Sequence, residues 1–237
     1  MSQDAPLGST VPGYATITRT LRLGGQDYRI RSLTDRQQFA DPGHQAERLG
    51  ISSAQWSLFG QVWPAGRLLA EAMSRHATGH KRILELGCGL GLASLLLQRH
   101  GADITASDIH PLAEVFLAYN AALNDLPAVR YRSLRWDEPN TRLGRFDLII
   151  GSDILYERDH AALLAAVVEH HAKPDAEILI TDPGRGNSAL FTRLMEAEGY
   201  AVSEQRSPMD ANDQPPFRGR LLSYRRCPPR AAGRHRA

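Results

Sequence analysis

The sequence predicts an α/β fold: a seven-stranded, mostly parallel sheet with helices on both faces, preceded by an N-terminal β-hairpin extension. Three observations predict it. From residue 82 onward, short apolar, β-branched runs alternate with longer helical stretches, the pattern imposed by parallel strands joined through helical crossovers. The first of those runs ends in a glycine turn, Gly87-Cys88-Gly89-Leu90-Gly91, and the next ends in an acid, Asp108, which together give the sheet a Rossmann-like character. Ahead of both, two runs of β-type composition flank Gly24-Gly25, the signature of a hairpin.

In chain order, residues 1–13 hold Pro6, Gly8, Pro12 and Gly13 without periodic structure, and a loose end is expected there. Residues 14–23 and 28–32 supply the hairpin strands, and residues 36–53 are polar and indistinct. Apolar positions Leu58, Val62, Leu68, Leu69 and Ala72 suggest a helix interrupted near Pro64, directly after Trp63. Strands follow at 82–86, 103–107, 129–133, 146–151 and 178–182, and helices at 90–100, 111–124, 159–171 and 188–198. Pro111 falls in a first helical turn, where a missing N–H costs nothing, and Gly101 stops the preceding helix. Two further strands, 200–205 and 219–224, complete seven. The last pairs antiparallel if residues 207–217, rich in Pro, Asp and Asn, form a return loop. The expected organisation is an extension with the hairpin over 1–57, one domain over 58–226, and a basic tail over 227–237.

A chain of 237 residues, 42% hydrophobic, buries one substantial core. Its formal charge of +2 demands neither a nucleic-acid nor a membrane partner. The basic excess gathers at the end, in Arg218, Arg220, Arg225, Arg226, Arg230, Arg234 and Arg236, and reads as a solvated tail. Cys88 and Cys227 give no disulfide framework, which points to a reducing compartment. The first 30 residues show no secretory pattern, and no apolar run approaches the ~20 residues needed to cross a bilayer. A cytoplasmic monomer without a metal site is expected.

The glycine spacing separates two cofactor classes. A dinucleotide fold uses G-x-G-x-x-G with a bare helix N-terminus facing a pyrophosphate. Here the glycines stand at 87, 89 and 91, and Glu85 stands two residues before the first. A carboxylate in that place repels phosphate and suits a cation. The pattern Glu-x-Gly-x-Gly-x-Gly therefore points to S-adenosylmethionine (SAM), whose sulfonium and ammonium are positive and which carries no phosphate. Asp108, about 20 residues on, is placed to accept hydrogen bonds from ribose hydroxyls. Cys88 lies within this cofactor turn as a small filler, with no base tied to it in sequence.

In open parallel sheets, ligands bind at the carboxyl ends of the strands. That rule singles out Leu134-Arg135-Trp136-Asp137 after the third strand, Gly151-Ser152-Asp153-Ile154-Leu155-Tyr156 after the fourth, and Asp182-Pro183-Gly184-Arg185 after the fifth. Trp136 offers a flat face for an adenine, with Ser152 a small wall beside it. Asp153 and Tyr156, three apart at a strand-to-helix junction, can converge on one substrate group. Arg185 is suited either to a substrate carboxylate or to a neighbouring acid.

On these motifs the stretch 61–224 resembles the seven-β-strand SAM-dependent methyltransferases of methyltransferase family 16, many of which modify protein lysines. The resemblance rests on Val62-Trp63-Pro64-Ala65-Gly66, on Glu85 to Gly91, on Asp108, on Trp136-Asp137 and on an Asp-x-x-Tyr motif realised as Asp153 to Tyr156. It implies that Trp63, Glu85, Gly87, Cys88, Gly89, Gly91, Asp108, Trp136 and Ser152 hold SAM, and that Asp153 and Tyr156 face the methyl acceptor. The Asp182-Pro183-Gly184-Arg185 turn further resembles the branch that modifies the β-subunit of electron transfer flavoprotein. The implied reaction is N-methylation of a lysine on a protein substrate. A small amine or nicotinamide-like acceptor is the alternative, since it shares every cofactor residue. Adenine methylation in nucleic acid is disfavoured, because that chemistry uses an Asn/Asp-Pro-Pro-Tyr/Phe motif where this chain has Asp153-Ile154-Leu155-Tyr156. A SAM-binding module without catalysis and an NAD oxidoreductase are more remote readings.

Overall fold

The computed structural model of the protein describes residues 14–35, 44–138, 141–206 and 217–226. The expected loose end, most of the expected return loop and the tail from residue 227 lie outside the described residues.

Strands β1 (Thr16–Leu23) and β2 (Gln26–Leu33) pair antiparallel in unbroken register. Gly24 and Gly25 take φ of 55° and 79°, the left-handed pair that a tight two-residue hairpin turn requires. The hairpin is attached through Tyr28, Ile30 and Leu23, all fully buried or nearly so. Two short helices, α1 (Gln45–Arg48) and α2 (Ser53–Trp56), follow in the stretch that the sequence left indistinct. A capping box between Ser52 and Gln55 holds the second. Helix α3 (Pro64–Arg75) begins at the proline rather than being interrupted by it. Pro64 occupies the first turn, where its fixed φ favours the helix; residues 57–60 form a turn after α2, and Trp63 enters the helix in an extended conformation.

The main sheet contains β3 (Arg82–Leu86), β4 (Asp103–Asp108), β5 (Arg130–Ser133), β6 (Phe146–Ser152), β7 (Ala172–Asp182), β8 (Tyr200–Arg206) and β9 (Arg220–Arg226). Helices α4 (Leu92–Arg99), α5 (Ala113–Leu123), α6 (His160–His171) and α7 (Ser188–Ala197) connect them. The spatial order is β5-β4-β3-β6-β7-β9-β8. Pairing is parallel from β5 to β7, and β9 inserts antiparallel between β7 and β8, as the return loop demands. β7 starts six residues earlier than the sequence suggested. Its first part is polar and carries Pro174, which cannot donate to a ladder, and a register shift opposite Phe146 and Leu148 accommodates it.

Strands covered on both faces read as continuous apolar runs, and this explains Ile83-Leu84 and Leu148-Ile149-Ile150, all fully buried. Alternate residues feed two cores. Ile83, Ile104 and Ile150 pack with α3, α4, α5 and the hairpin, while Leu84, Ile149 and Ile178 pack with α6 and α7. Asn120 of α5 and Asn124, which caps its C-terminus, tie the hairpin to the first layer. Asn120 Oδ1 accepts from Arg31 N and Asn124 Oδ1 from Arg29 N, each at 2.8 Å, and Asn124 Nδ2 donates to Arg29 O at 2.8 Å. The chain order reverses between β3 and β6, and that opens a crevice at their carboxyl ends.

Candidate active site

The turn after β3 is made by backbone conformations only glycine adopts easily. Gly87, Gly89 and Gly91 have φ of 63°, 54° and 78°. Each has a different neighbour. A Cβ on Gly87 would lie 2.8 Å from Ile154 Cγ2, one on Gly91 would lie 2.3 Å from Leu117 Cδ1, and one on Gly89 would meet nothing within 4 Å. Gly89 thus faces open space, whereas Gly91 caps α4 against α5 and does not line the crevice.

Two carboxylates brace this turn from beneath. Glu85 is 2% exposed, and its Oε2 accepts from Ser94 N at 3.0 Å and from the Ser94 hydroxyl, which ties β3 to the first turn of α4. Burial pushes the Glu85 carboxyl up to about 7, against the lowering effect of the two Ser94 hydrogen bonds. Asp108, ending β4, accepts from Gly89 N and His110 N at 2.8 Å each. Burial also raises its carboxyl above the usual range, and those backbone N–H groups partly offset the rise. Burial raises the Cys88 thiol well above its ordinary value, and the Asp108 charge raises it further, which leaves it an unreactive filler.

The opposite wall comes from β5, β6 and the loops beyond them. Trp136 stands edge-on to His160 at 5.1 Å, and Tyr156 meets the same imidazole edge-on at 4.5 Å. His160 Nδ1 donates to Ile154 O at 3.1 Å, which orients the ring. Burial, reinforced by the charges of Asp108, Glu157 and Asp153, pushes the Tyr156 phenol up to about 12, so it stays protonated near neutral pH. Asp153 sits just after β6 with φ of 51°, an uncommon conformation for a non-glycine residue, and its N donates to Thr181 O at 2.8 Å. Its carboxylate is met squarely by Arg185, which donates Nε to Oδ1 and Nη2 to Oδ2, each at 2.7 Å. Of the two roles open to Arg185 in the sequence, pairing with a neighbouring acid is the one the fold adopts.

Trp63, Glu85, Gly87, Cys88, Gly89, Asp108, Trp136, Ser152, Asp153 and Tyr156 all line one cavity of about 320 Å³. That volume lies within the range of ~300–1,000 Å³ typical of ligand clefts. The cavity also draws on residues that the sequence did not single out. His110 packs between Phe59, stacked at 3.9 Å, and Trp56, tilted at 4.4 Å, and the stretch 49–61 adds Leu49, Ile51 and Gln55. Arg135 Nη1 donates to Leu49 O at 2.9 Å and so fastens this stretch to the rim after β5. His110 was within reach of sequence reasoning, because it directly follows a strand end. The stretch 49–61 was not, because helices of four residues leave no periodicity. The lining carries Glu85, Asp108, Asp137, Asp153 and Asp159 against Arg135 and Arg185, and both arginines are already paired to acids. The surplus is negative, which repels phosphate and favours a cation.

Residues 47–197 match a profile whose description is lysine methyltransferase. The chain is 30% identical over 185 residues to the electron transfer flavoprotein beta subunit lysine methyltransferase of Rattus norvegicus, covering 75% of this chain and 70% of that protein. It is 26% identical over 183 residues to EEF1A lysine methyltransferase 3 of Mus musculus, covering 74% and 78% respectively. Among solved structures, magnesium protoporphyrin IX methyltransferase from Synechocystis with bound SAM superposes with a TM-score of 0.55 at 16% identity. That match covers 79% of this chain and 92% of the other, and it shows the shared fold. The chain belongs to the lysine methyltransferase family, and with it to the SAM-dependent methyltransferases.

Proposed function

We propose that this enzyme methylates the side-chain nitrogen of lysine in a polypeptide, with SAM as methyl donor. The observation that carries the reading is the negative cavity: four aspartates and a part-ionised Glu85 against two paired arginines, and a glycine turn open at Gly89. A ligand bearing a sulfonium and an ammonium fits that charge, and a pyrophosphate does not.

Asp108 is assigned to the ribose hydroxyls, held ready by its two backbone hydrogen bonds. Trp136, edge-packed on His160, is assigned to the adenine with Ser152 beside it, and Trp63, Gly87, Cys88 and Gly89 close the remaining wall. Glu85, its carboxyl pushed up to about 7, supplies negative charge below the turn once a cation favours its ionised form, and Gly91 keeps the turn in shape. When bound, SAM supplies an electrophilic methyl group, and an amine nitrogen held in line is methylated largely through alignment. Asp153 accepts a hydrogen bond from that amine, and Tyr156, protonated, bounds the acceptor's place. The amine must first lose its proton. For a lysine of pKa about 10.4, this costs about 4 kcal/mol near neutral pH.

The acceptor we propose is a protein resembling the electron transfer flavoprotein β-subunit. The rat relative and the turn Asp182-Pro183-Gly184-Arg185 support it. The use of only two cysteines supports a reducing compartment, and we place the enzyme in the cytoplasm as a monomer. The test is incubation with tritiated SAM and a cytosolic extract, either intact or treated beforehand with protease. Label that vanishes after proteolysis supports a polypeptide acceptor. Label that survives it identifies a small amine and overturns the reading.

A further inference from the structure

Arg185 and Asp153 pose a problem of charge. A lone carboxylate beside a primary amine orients it but also stabilises its ammonium form, and the ammonium has no lone pair with which to take a methyl group. The same residue would then position the acceptor and disable it. Arg185 resolves this conflict. Its guanidinium is always protonated, and it meets both oxygens of Asp153 at 2.7 Å in a fork, next to the cavity that Tyr156 also lines. Each oxygen keeps a further lone pair able to accept an N–H.

We propose that Arg185 is a positioning residue that sets the protonation state of the acceptor, by cancelling the charge of Asp153 while leaving its hydrogen-bonding capacity. The inference rests on the lysine-acceptor reading given above. The remaining groups around the pair do not perform this task. Asp182, at the end of β7, is engaged by Arg220 through Nε at 3.1 Å and Nη2 at 2.9 Å. Tyr156 is a neutral phenol, while Asp108, Glu157 and Asp159 add only negative charge and His160 is committed to Ile154 O. Asp153 is 11% exposed and Arg185 40%, so the acid is sheltered while the arginine reaches it from the solvent side. Gly184 and Gly186, at φ of 91° and 95°, flank Arg185 on the exposed loop after β7. Replacing it therefore leaves the core untouched.

The experiment follows single-turnover tritium transfer from SAM into the protease-sensitive fraction of a cytosolic extract, as a function of pH. For Arg185→Gln, the limb rising with deprotonation of the acceptor should move to higher pH by about one unit, a tenfold change in the ratio of ammonium to amine. Arg185→Lys keeps the charge and should hold the wild-type limb at a reduced rate, because the fork is lost. A second measurement needs no natural acceptor. Calorimetric binding of n-butylammonium to enzyme saturated with S-adenosylhomocysteine should tighten about tenfold in Arg185→Gln. A lower rate at every pH with the limb unmoved, or n-butylammonium affinity unchanged, would show that Arg185 merely braces its turn and would overturn the proposal. If wild-type enzyme labels no polypeptide, the proposed function fails instead, and the n-butylammonium comparison still decides the role of Arg185.

Discussion

Asp108 is held by two backbone N–H groups, from Gly89 and His110, before any ligand arrives, so its carboxylate needs no reorganisation to receive a ribose. Asp108→Ala should therefore weaken SAM binding at least tenfold, as measured by calorimetry, and unchanged affinity would remove it from the cofactor site. Asp153 lines the same cavity after β6, paired to Arg185, and should behave in the opposite way. Asp153→Asn tolerates the left-handed backbone, keeps SAM affinity within about threefold and lowers turnover by about 10²-fold or more. A variant that turned over normally would show that the acceptor binds elsewhere. Much of this site was legible in the sequence, since Glu85 and Asp153 lie at the carboxyl ends of the apolar runs of β3 and β6, and Asp108 and Trp136 end or follow the neighbouring strands β4 and β5. The partner of Arg185 was not legible, because residues 32 apart meet only once β6 and β7 are paired.

At the scale of elements, the glycine turn separates fold from ligand. Gly91→Ala forces a side chain into the left-handed region and against Leu117, with an expected loss of about 2–3 kcal/mol and a Tm lower by roughly 5–10 °C. Gly89→Ala meets no atom within 4 Å, so it should cost only about 1 kcal/mol of stability while weakening SAM binding more than Gly91→Ala does. Thermal denaturation beside calorimetry distinguishes the two, and equal effects at both positions would contradict the division. The strand order β5-β4-β3-β6-β7-β9-β8 emerges only from the pairing, whereas seven strands with the last one antiparallel could be anticipated from alternating patterns and a long return loop. The reach of β7 back to Ala172 could not, because polar residues and Pro174 mask a strand that tertiary pairing enforces. The same holds for α1 and α2, whose four-residue length leaves no periodicity to read and, for α2, only a capping box.

Across the whole molecule, Glu85 links stability to pH. Its carboxyl titrates near 7 in the folded chain, raised by burial above the ordinary value of 4.5. A raised acid favours folding while protonated, so this contribution is complete below about pH 4.5 and is lost as pH rises through about 7. The difference of roughly 2.5 units corresponds to about 3 kcal/mol. Glu85→Gln should flatten the fall in unfolding free energy across that window, as measured by urea denaturation, and an unaltered pH profile would mean that Glu85 is ionised throughout. A cation bound above the turn should favour ionised Glu85. Calorimetric titration of the protein with SAM and, separately, with NADH decides whether this cavity takes a positively charged adenosine ligand free of phosphate. Saturable one-to-one binding of SAM with no heat from NADH is expected; binding of NADH in place of SAM would mean that the cavity accepts a pyrophosphate and is not a SAM site.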